Sequence, residues 1–468
     1  MNFLKKLFSF SIGSTLGLLI GLISTPIITR IIDPAEFGIA AIFMTVSSLL
    51  GIFALSGLDQ AFVRFFFETD RIDLLKKCIL LSVGSTGLCI AIIVLFGEPL
   101  SSYISPDSSY VILMILNVVI MVVFRFSLLI LRMLQYGYRY SLIQVLQRLL
   151  DLLFVLSFAF IFFPDRYALI FSSMVTSFLL SIITLILVRS FWNLEIEEMK
   201  KINYQAVVSY SLPLMLAALM TVFFQTMDKL FLNAWVTSTE FGIYAAAFKL
   251  VAILNVIQTS FTLFWAPASL EHYEKQPDDK VFYGRISKMI TIVMITVCIL
   301  VVLTKDILVL FLGEAYREAS SVIALLVIMP AMYTMSETTV QGVVFSLKSY
   351  LHIIVSGIAL ATNVALCWWL IPLFGMEGAA LSIALSYIVF YLARTYFGMK
   401  YFRFDNKIIQ TLLLILCLLI WVVAVVFIDN QIVLFTGAAV MFVLLIFLFS
   451  EEILEGGSFI RQLANRKT

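Results

Sequence analysis

Glu36-Phe37-Gly38-Ile39-Ala40-Ala41 and Glu240-Phe241-Gly242-Ile243-Tyr244-Ala245-Ala246 are two versions of one phrase, 204 residues apart. Each opens an apolar run of spanning length, and each follows a run that ends in a polar loop. A glutamate at a helix start sits near the positive end of the helix dipole, so such starts recur by chance. Four identical residues at matching places along the chain point instead to an internal repeat. The repeat predicts two parallel-topology halves, an arrangement many transporters share.

Outward from those phrases the chain is too apolar for water. Of 468 residues, 62% are hydrophobic and 13% are charged, where an ordinary soluble domain is near half apolar and a quarter charged. Apolar runs recur from Phe8 to Ser450, so the bilayer is the solvent. A hydrocarbon core about 30 Å thick takes ~20 residues of apolar helix. That ruler predicts helices near 8–30, 37–62, 78–97, 110–134, 142–163 and 167–189. A polar stretch, Arg189 to Gln205, then intervenes. Further helices are predicted near 208–234, 241–265, 288–304, 319–342, 350–372, 377–398, 408–428 and 431–450. Lys5 and Lys6 followed by an apolar run resemble a signal peptide. The run continues to Ile28 without a convincing cleavage site, which predicts a retained first span.

The expected fold class is therefore an all-α polytopic membrane protein with about 14 transmembrane helices. Residues 1–189 form an N-terminal lobe of six helices, 190–207 a cytoplasmic linker and 208–398 a C-terminal lobe of six. Residues 399–468 supply two more helices and a cytoplasmic tail. Of 31 lysines and arginines, 24 fall in loops and tails on the side of the N-terminus, four on the other side and three within spans. Cationic loops stay cytoplasmic, so both termini are expected there.

Several functions are disfavoured. A net charge of +2 gives no reason to expect nucleic acid as a partner. Five cysteines lie in or beside apolar runs without a CxxC pair, and His272 and His352 are far apart, so neither disulfides nor a metal is expected. The chain has no GxxxxGK[ST] phosphate loop, GxSxG elbow or HExxH pair. Its longest external loops, near 97–110 and 304–319, are too short to hold a catalytic domain. The expectation is a carrier without cofactors, not an enzyme.

Charged groups within spans carry the functional signal, because a charge in the hydrocarbon costs at least ~2.5–3.5 kcal/mol unless it faces a cavity or a partner. Arg125 lies midway through the fourth helix, Asp228 and Lys229 late in the seventh, Lys249 early in the eighth and Glu337 late in the tenth. Arg30 ends the first helix, and Asp59 and Arg64 end the second. Asp59 and Asp151 suit a headgroup layer. Cations in both halves would favour an anionic cargo, and a diphosphate is the obvious membrane-borne one. Gly13, Gly17 and Gly21 form a small-residue ridge on the first helix, suited to close packing. Pro26, Pro213 and Pro330 each remove a helical hydrogen bond.

The run Thr25-Pro26-Ile27-Ile28-Thr29-Arg30, followed by Asp33-Pro34-Ala35-Glu36-Phe37-Gly38, resembles the start of bacterial polysaccharide flippases. So do Tyr210-Ser211-Leu212-Pro213, Asp228-Lys229, Phe241-Gly242-Ile243-Tyr244 and Gly375-Met376-Glu377-Gly378-Ala379-Ala380. Over essentially its whole length the chain resembles the O-antigen (Wzx-type) branch of the multidrug/oligosaccharidyl-lipid/polysaccharide (MOP) exporter superfamily, a MATE-like architecture. That resemblance implies two lobes around a cationic cavity and passage of undecaprenyl-diphosphate-linked oligosaccharide across the bacterial inner membrane. It implies substrate-binding roles for Arg30, Arg64, Lys229 and Lys249, to which burial adds Arg125. Asp228 with Asn363 is a candidate ion-coupling pair. The implied partners are the lipid-linked glycan, membrane lipids, and the polysaccharide polymerase and chain-length machinery. A cation-coupled multidrug exporter of the same superfamily and a membrane polysaccharide polymerase or ligase are the alternatives. The first lacks an acidic residue from Leu7 to Thr29, and the second lacks a large external loop.

Overall fold

The computed structural model describes residues 16–454 apart from 18, 106–108, 163, 190–201, 349 and 429. The start of the first predicted helix, most of the linker and the C-terminal tail lie outside the described residues, as does Gly13. Every regular element among the described residues is helical.

The first unit in the chain, Met1–Ala245, begins with α1 (Leu19–Thr29) and α2 (Pro34–Leu55), whose proline occupies the first turn, where no amide hydrogen bond is lost. Ser56 and Gly57, both left-handed, separate α2 from the short α3 (Leu58–Phe65). The single second helix expected over 37–62 is thus two segments. Then come α4 (Arg71–Leu95), capped by Asp70 onto the amides of Ile72 and Asp73, α5 (Gly97–Ile104), α6 (Ser109–Met133), α7 (Gly137–Ile161), α8 (Arg166–Leu187) and α9 (Tyr204–Trp235). The buried face of α2, with Phe37, Ile42, Phe43 and Val46, packs against α4, α6, α8 and α9. The expected N-terminal lobe ended at 189, whereas this packing unit also takes in α9 and the start of α10 (Ser238–Val251). Packing and sequence repetition divide a chain by different criteria.

The second unit, Ala246–Thr468, contains α11 (Leu254–Lys275), α12 (Lys280–Leu303), the single turn α13 (Lys305–Leu308), α14 (Ala319–Leu326), α15 (Ile328–Thr339) and α16 (Gln341–Phe345). It continues with α17 (Tyr350–Tyr401), α18 (Ile408–Ile428) and α19 (Gln431–Leu448). The tenth expected span is α14 and α15 in continuous helical backbone through Val327, Ala319–Thr339, with α16 following, and Pro330 in α15 cannot donate to the carbonyl four residues back. Among the described residues, eleven helices are long and apolar enough to cross a membrane, and twelve if the bent α10–α11 pair is one span. The longest, α17, is two helices joined at Gly375 (φ 55°, ψ −129°), a backbone conformation that L-residues avoid. Its halves match the two runs predicted at 350–372 and 377–398. With α1 ahead of them, these helices account for the apolar runs in the sequence.

In the second unit, α11, α12, α15 and α17 are tied by a buried polar spine. Arg394 donates to Ser336 Oγ at 2.8 Å and to Glu337 Oε1 at 2.7 Å, and its guanidinium lies over Phe390 and Tyr333. The Glu337 carbonyl accepts from Trp265 Nε1 and Gln341 Nε2. Ser269 donates to Gln341, and Tyr283 to the carbonyl of Ser269. Around it pack Trp265, Tyr283, Phe402 and Phe404.

Candidate functional site

The two copies of the repeated phrase meet. A Cβ added to Gly38 would run into the backbone of Ser238 and lie 2.9 Å from the amide nitrogen of Gly242. One added to Gly242 would collide with the carbonyl of Pro34. Only α-carbons that carry no side chain allow α2 and α10 to cross so closely. The Glu36 carboxylate accepts from the amide of Arg166, with that arginine's Nε 3.6 Å away. Glu240 and Thr237 form a capping box, each side chain accepting from the other's amide.

Beside this crossing, α9 brings in the buried charges. Asp228 has no exposed surface, and its Oδ2 accepts the hydroxyl hydrogen of Tyr244, a residue of the second repeat copy. Its Oδ1 has no hydrogen-bond partner among the described residues. Lys229 is half-buried; as neighbours on a helix do not face each other, the two charges address different surroundings. The end of α9 is clasped by α5: Tyr103 donates to the carbonyl of Leu230, while Asn233 Nδ2 donates to the carbonyl of Tyr103 at 2.7 Å. Burial pushes the Tyr103 hydroxyl up to about 12, outweighing the opposing hydrogen bond from Asn233, so it remains a donor at neutral pH.

Arg125 does not stand alone. Its Nε and Nη2 reach Asp59 Oδ2 at 3.3 and 3.0 Å. The arginine side chain is 48% exposed and the aspartate side chain 10%. Asp59, expected at a headgroup layer, is instead buried at the start of α3 as the counter-ion of Arg125. The break at Ser56–Gly57 sets that position. Arg125→Ala, which strands a buried carboxylate, should cost about 1–3 kcal/mol and more than Asp59→Ala, which leaves a half-exposed cation. Thermal unfolding of the purified variants compares them, and an equal loss in both would contradict this geometry.

The remaining cationic candidates are more accessible. Arg30 is exposed, with no acidic partner within ion-pair distance among the described residues. Arg64 pairs with Glu68 one turn on, and that hydrogen bond pushes its pKa up further. Lys249 is exposed on α10. Asn363 is fully buried on α17, where Cys367 lies 3.7 Å from its Oδ1 and its Nδ2 lacks a partner among the described residues. By packing unit, Arg30, Arg64, Arg125, Asp228 and Lys229 belong to the first and Lys249 and Asn363 to the second. Of the glycine ridge, a Cβ added to Gly17 would lie 3.4 Å from the Arg148 side chain, but one added to Gly21 would meet nothing.

Sequence reading misses the pairing of Arg394 with Glu337 because it counts Arg394 among the loop cations, although the predicted helix at 377–398 already contains it. The signal was the second apolar run itself, which continues past Arg394 to Tyr401.

The family of polysaccharide biosynthesis proteins matches residues 3–272. Among solved structures, the lipid II flippase MurJ in an inward closed conformation superimposes with a TM-score of 0.66 at 14% identity, covering 95% of this chain and 99% of that one. A multidrug-resistance MATE transporter of the MOP superfamily, inward-facing, gives 0.55 at 14% identity over 83% of this chain and 97% of that one. An outward-facing MATE structure gives 0.53 at 14% identity, covering 84% and 93%. No curated protein matches the sequence. At such identities the likeness establishes the fold. This multi-pass membrane chain belongs to the polysaccharide biosynthesis protein family, and its helices follow the fold seen in the MurJ flippase and in MATE transporters.

Proposed function

We propose that this chain is a Wzx-type flippase, not an enzyme. It carries an undecaprenyl-diphosphate-linked oligosaccharide, the repeat unit of an O-antigen, lipopolysaccharide or related surface polysaccharide, across the bacterial cytoplasmic membrane. The observation that carries this reading is the full-length likeness to a structure described as a lipid II flippase, in a chain that belongs to a polysaccharide biosynthesis family. Both termini would be cytoplasmic, and a polymerase and chain-length machinery would take up the product.

The chemistry asks little of the protein beyond differential binding in two states. Arg30, Arg64 and Lys249 would hold the diphosphate while the prenyl tail stays in lipid. Lys229 would add charge deeper in the bilayer, and Arg125 would offer only what Asp59 leaves. Arginine suits this task because its planar donors fork onto phosphate oxygens. Rocking between inward- and outward-open states then moves the headgroup without making or breaking a covalent bond.

Arg30→Ala, Arg64→Ala and Lys249→Ala should each lower surface polysaccharide in a complemented deletion strain by about tenfold or more, since a charged hydrogen bond is worth about 1.5–3 kcal/mol. Lipid-linked repeat units should accumulate inside. Full surface polysaccharide in all three variants would refute the site assignment.

Asp228, a buried carboxylate with one hydroxyl donor, favours a second reading, a cation-coupled multidrug exporter. Drug sensitivity of the deletion strain with unchanged surface glycans would select it.

A further inference from the structure

A cavity of about 1120 Å³ opens in the second unit, and none of the candidate residues above line it. Its walls come from the start of α12, the end of α17, the start of α18 and the residues after α19. By the alternation of the spans along the chain, these four helix ends fall on the side of the Lys- and Arg-rich loops, where lipid headgroups would meet them. Its volume is of the order that small-molecule sites occupy.

The charge accounting inside it is uneven. Lys288 lies 3.5 Å from Asp405 and 3.1 Å from Glu452, and Lys407, just behind, lies 3.6 Å from Glu451 and 2.9 Å from Glu452. Burial opposes charge on Glu452, but the hydrogen bonds from Lys407 and Lys288 hold its carboxyl below the usual range. The acidic lining residues are thereby engaged. Lys280, Lys400 and Arg403 also line the cavity and have no acidic partner within ion-pair distance among the described residues.

An independent observation points to a ligand with acceptor oxygens. Asn406 lines the same cavity, is 6% exposed, and its Nδ2 has no hydrogen-bond partner among the described residues. A buried donor left unmet is costly. Arg285 and Thr395 also line it, but much of the remaining wall is apolar: Val281, Leu392 and Ile408, with Tyr396 66% exposed beside them. Cations and an amide at one end and hydrocarbon at the other suit an amphiphile.

We propose that this cavity binds the phosphodiester headgroup of an anionic glycerophospholipid. Lys280, Lys400 and Arg403 face the phosphate, the Asn406 amide donates to an ester or phosphate oxygen, and the acyl chains leave along Val281, Leu392 and Tyr396. Bound lipid fastens α18 and α19 to α12 and α17. The site stands whether or not the flippase reading does, since it depends only on the chain lying in a bilayer.

The test uses the full chain in uncharged detergent micelles, followed by thermal unfolding. Phosphatidylglycerol should raise the midpoint in a saturable way, because a ligand that binds only the folded state stabilises it. Phosphatidylcholine and inorganic phosphate should not. In the Lys280→Gln, Lys400→Gln, Arg403→Gln triple variant, half-saturation should need roughly 100-fold more phosphatidylglycerol, as each basic residue near an anionic surface is worth about 1 kcal/mol. An equal shift with phosphatidylcholine, or with inorganic phosphate, would overturn the proposal, as would an unchanged response of the variant. Should the variant not fold, a photoactivatable phosphatidylglycerol on the unaltered chain decides. Crosslinks at Val281, Leu392 or Tyr396 support the site, and crosslinks only elsewhere refute it.

Discussion

Arg394→Ala should lower the thermal midpoint of the purified protein by roughly 10 °C, because it strands a charged carboxylate in the interior. Arg394 and Glu337 are 7% and 9% exposed, and the pair sits where four helices of the second unit converge. Removing one partner of a buried ion pair costs about 3–5 kcal/mol, whereas replacing both with apolar or neutral groups of similar size is often nearly neutral. For a unit of this size each kcal/mol moves the midpoint by about 2–4 °C. The double variant Arg394→Met, Glu337→Gln should therefore recover most of what the single variant loses. A single variant within a few degrees of the unaltered protein would show that Glu337 is satisfied by other means.

Gly242→Ala is expected to be nearly as damaging, through geometry instead of charge. Its methyl group would collide with the carbonyl of Pro34, and a methyl on Gly38 would collide with that of Ser238. Backbone cannot turn aside as a flexible side chain can, so α2 and α10 must part. Overpacking of this kind costs about 1–3 kcal/mol, and two backbones in contact place it at the upper end. Gly84→Ala and Gly87→Ala, where the added carbon meets nothing, serve as controls and should be neutral or slightly stabilising. The Gly38→Ala, Gly242→Ala double variant should lose less than the two single losses combined, since both disturb one crossing. If Gly242→Ala unfolds at the same temperature as the two controls, the close crossing does not exist in the folded protein.

These two cases mark what was and was not legible in the sequence. The apolar runs could be read because bilayer thickness imposes a length on each of them, and the loop charges added an alternation to check it. Thus the run at 408–428 coincides with α18. The breaks were less visible. Ser56–Gly57 interrupts the second run with two left-handed residues; the Ser-Gly pair and Asp59-Gln60 just after it are a local turn signal, which a scan by length alone passes over. Partners were least legible of all. Arg125 and Asp59 lie on different helices, as do Arg394 and Glu337. A linear scan meets each charge singly and asks what cavity it faces, when the answer is an opposite charge on a neighbouring helix. The glycine crossing was the reverse case. Both phrases were noticed as copies, but nothing in a repeat says that its copies touch.

The turn at Gly375 has a wider implication. Because α17 passes from one crossing to the next through a single residue, almost no polypeptide emerges from the bilayer between those two spans. The mirror-image backbone that permits this belongs to glycine alone, so lengthening the hairpin means rebuilding both helix ends. Within the second unit, the room for variation among related chains is therefore concentrated elsewhere, as around the short helix Lys305–Leu308.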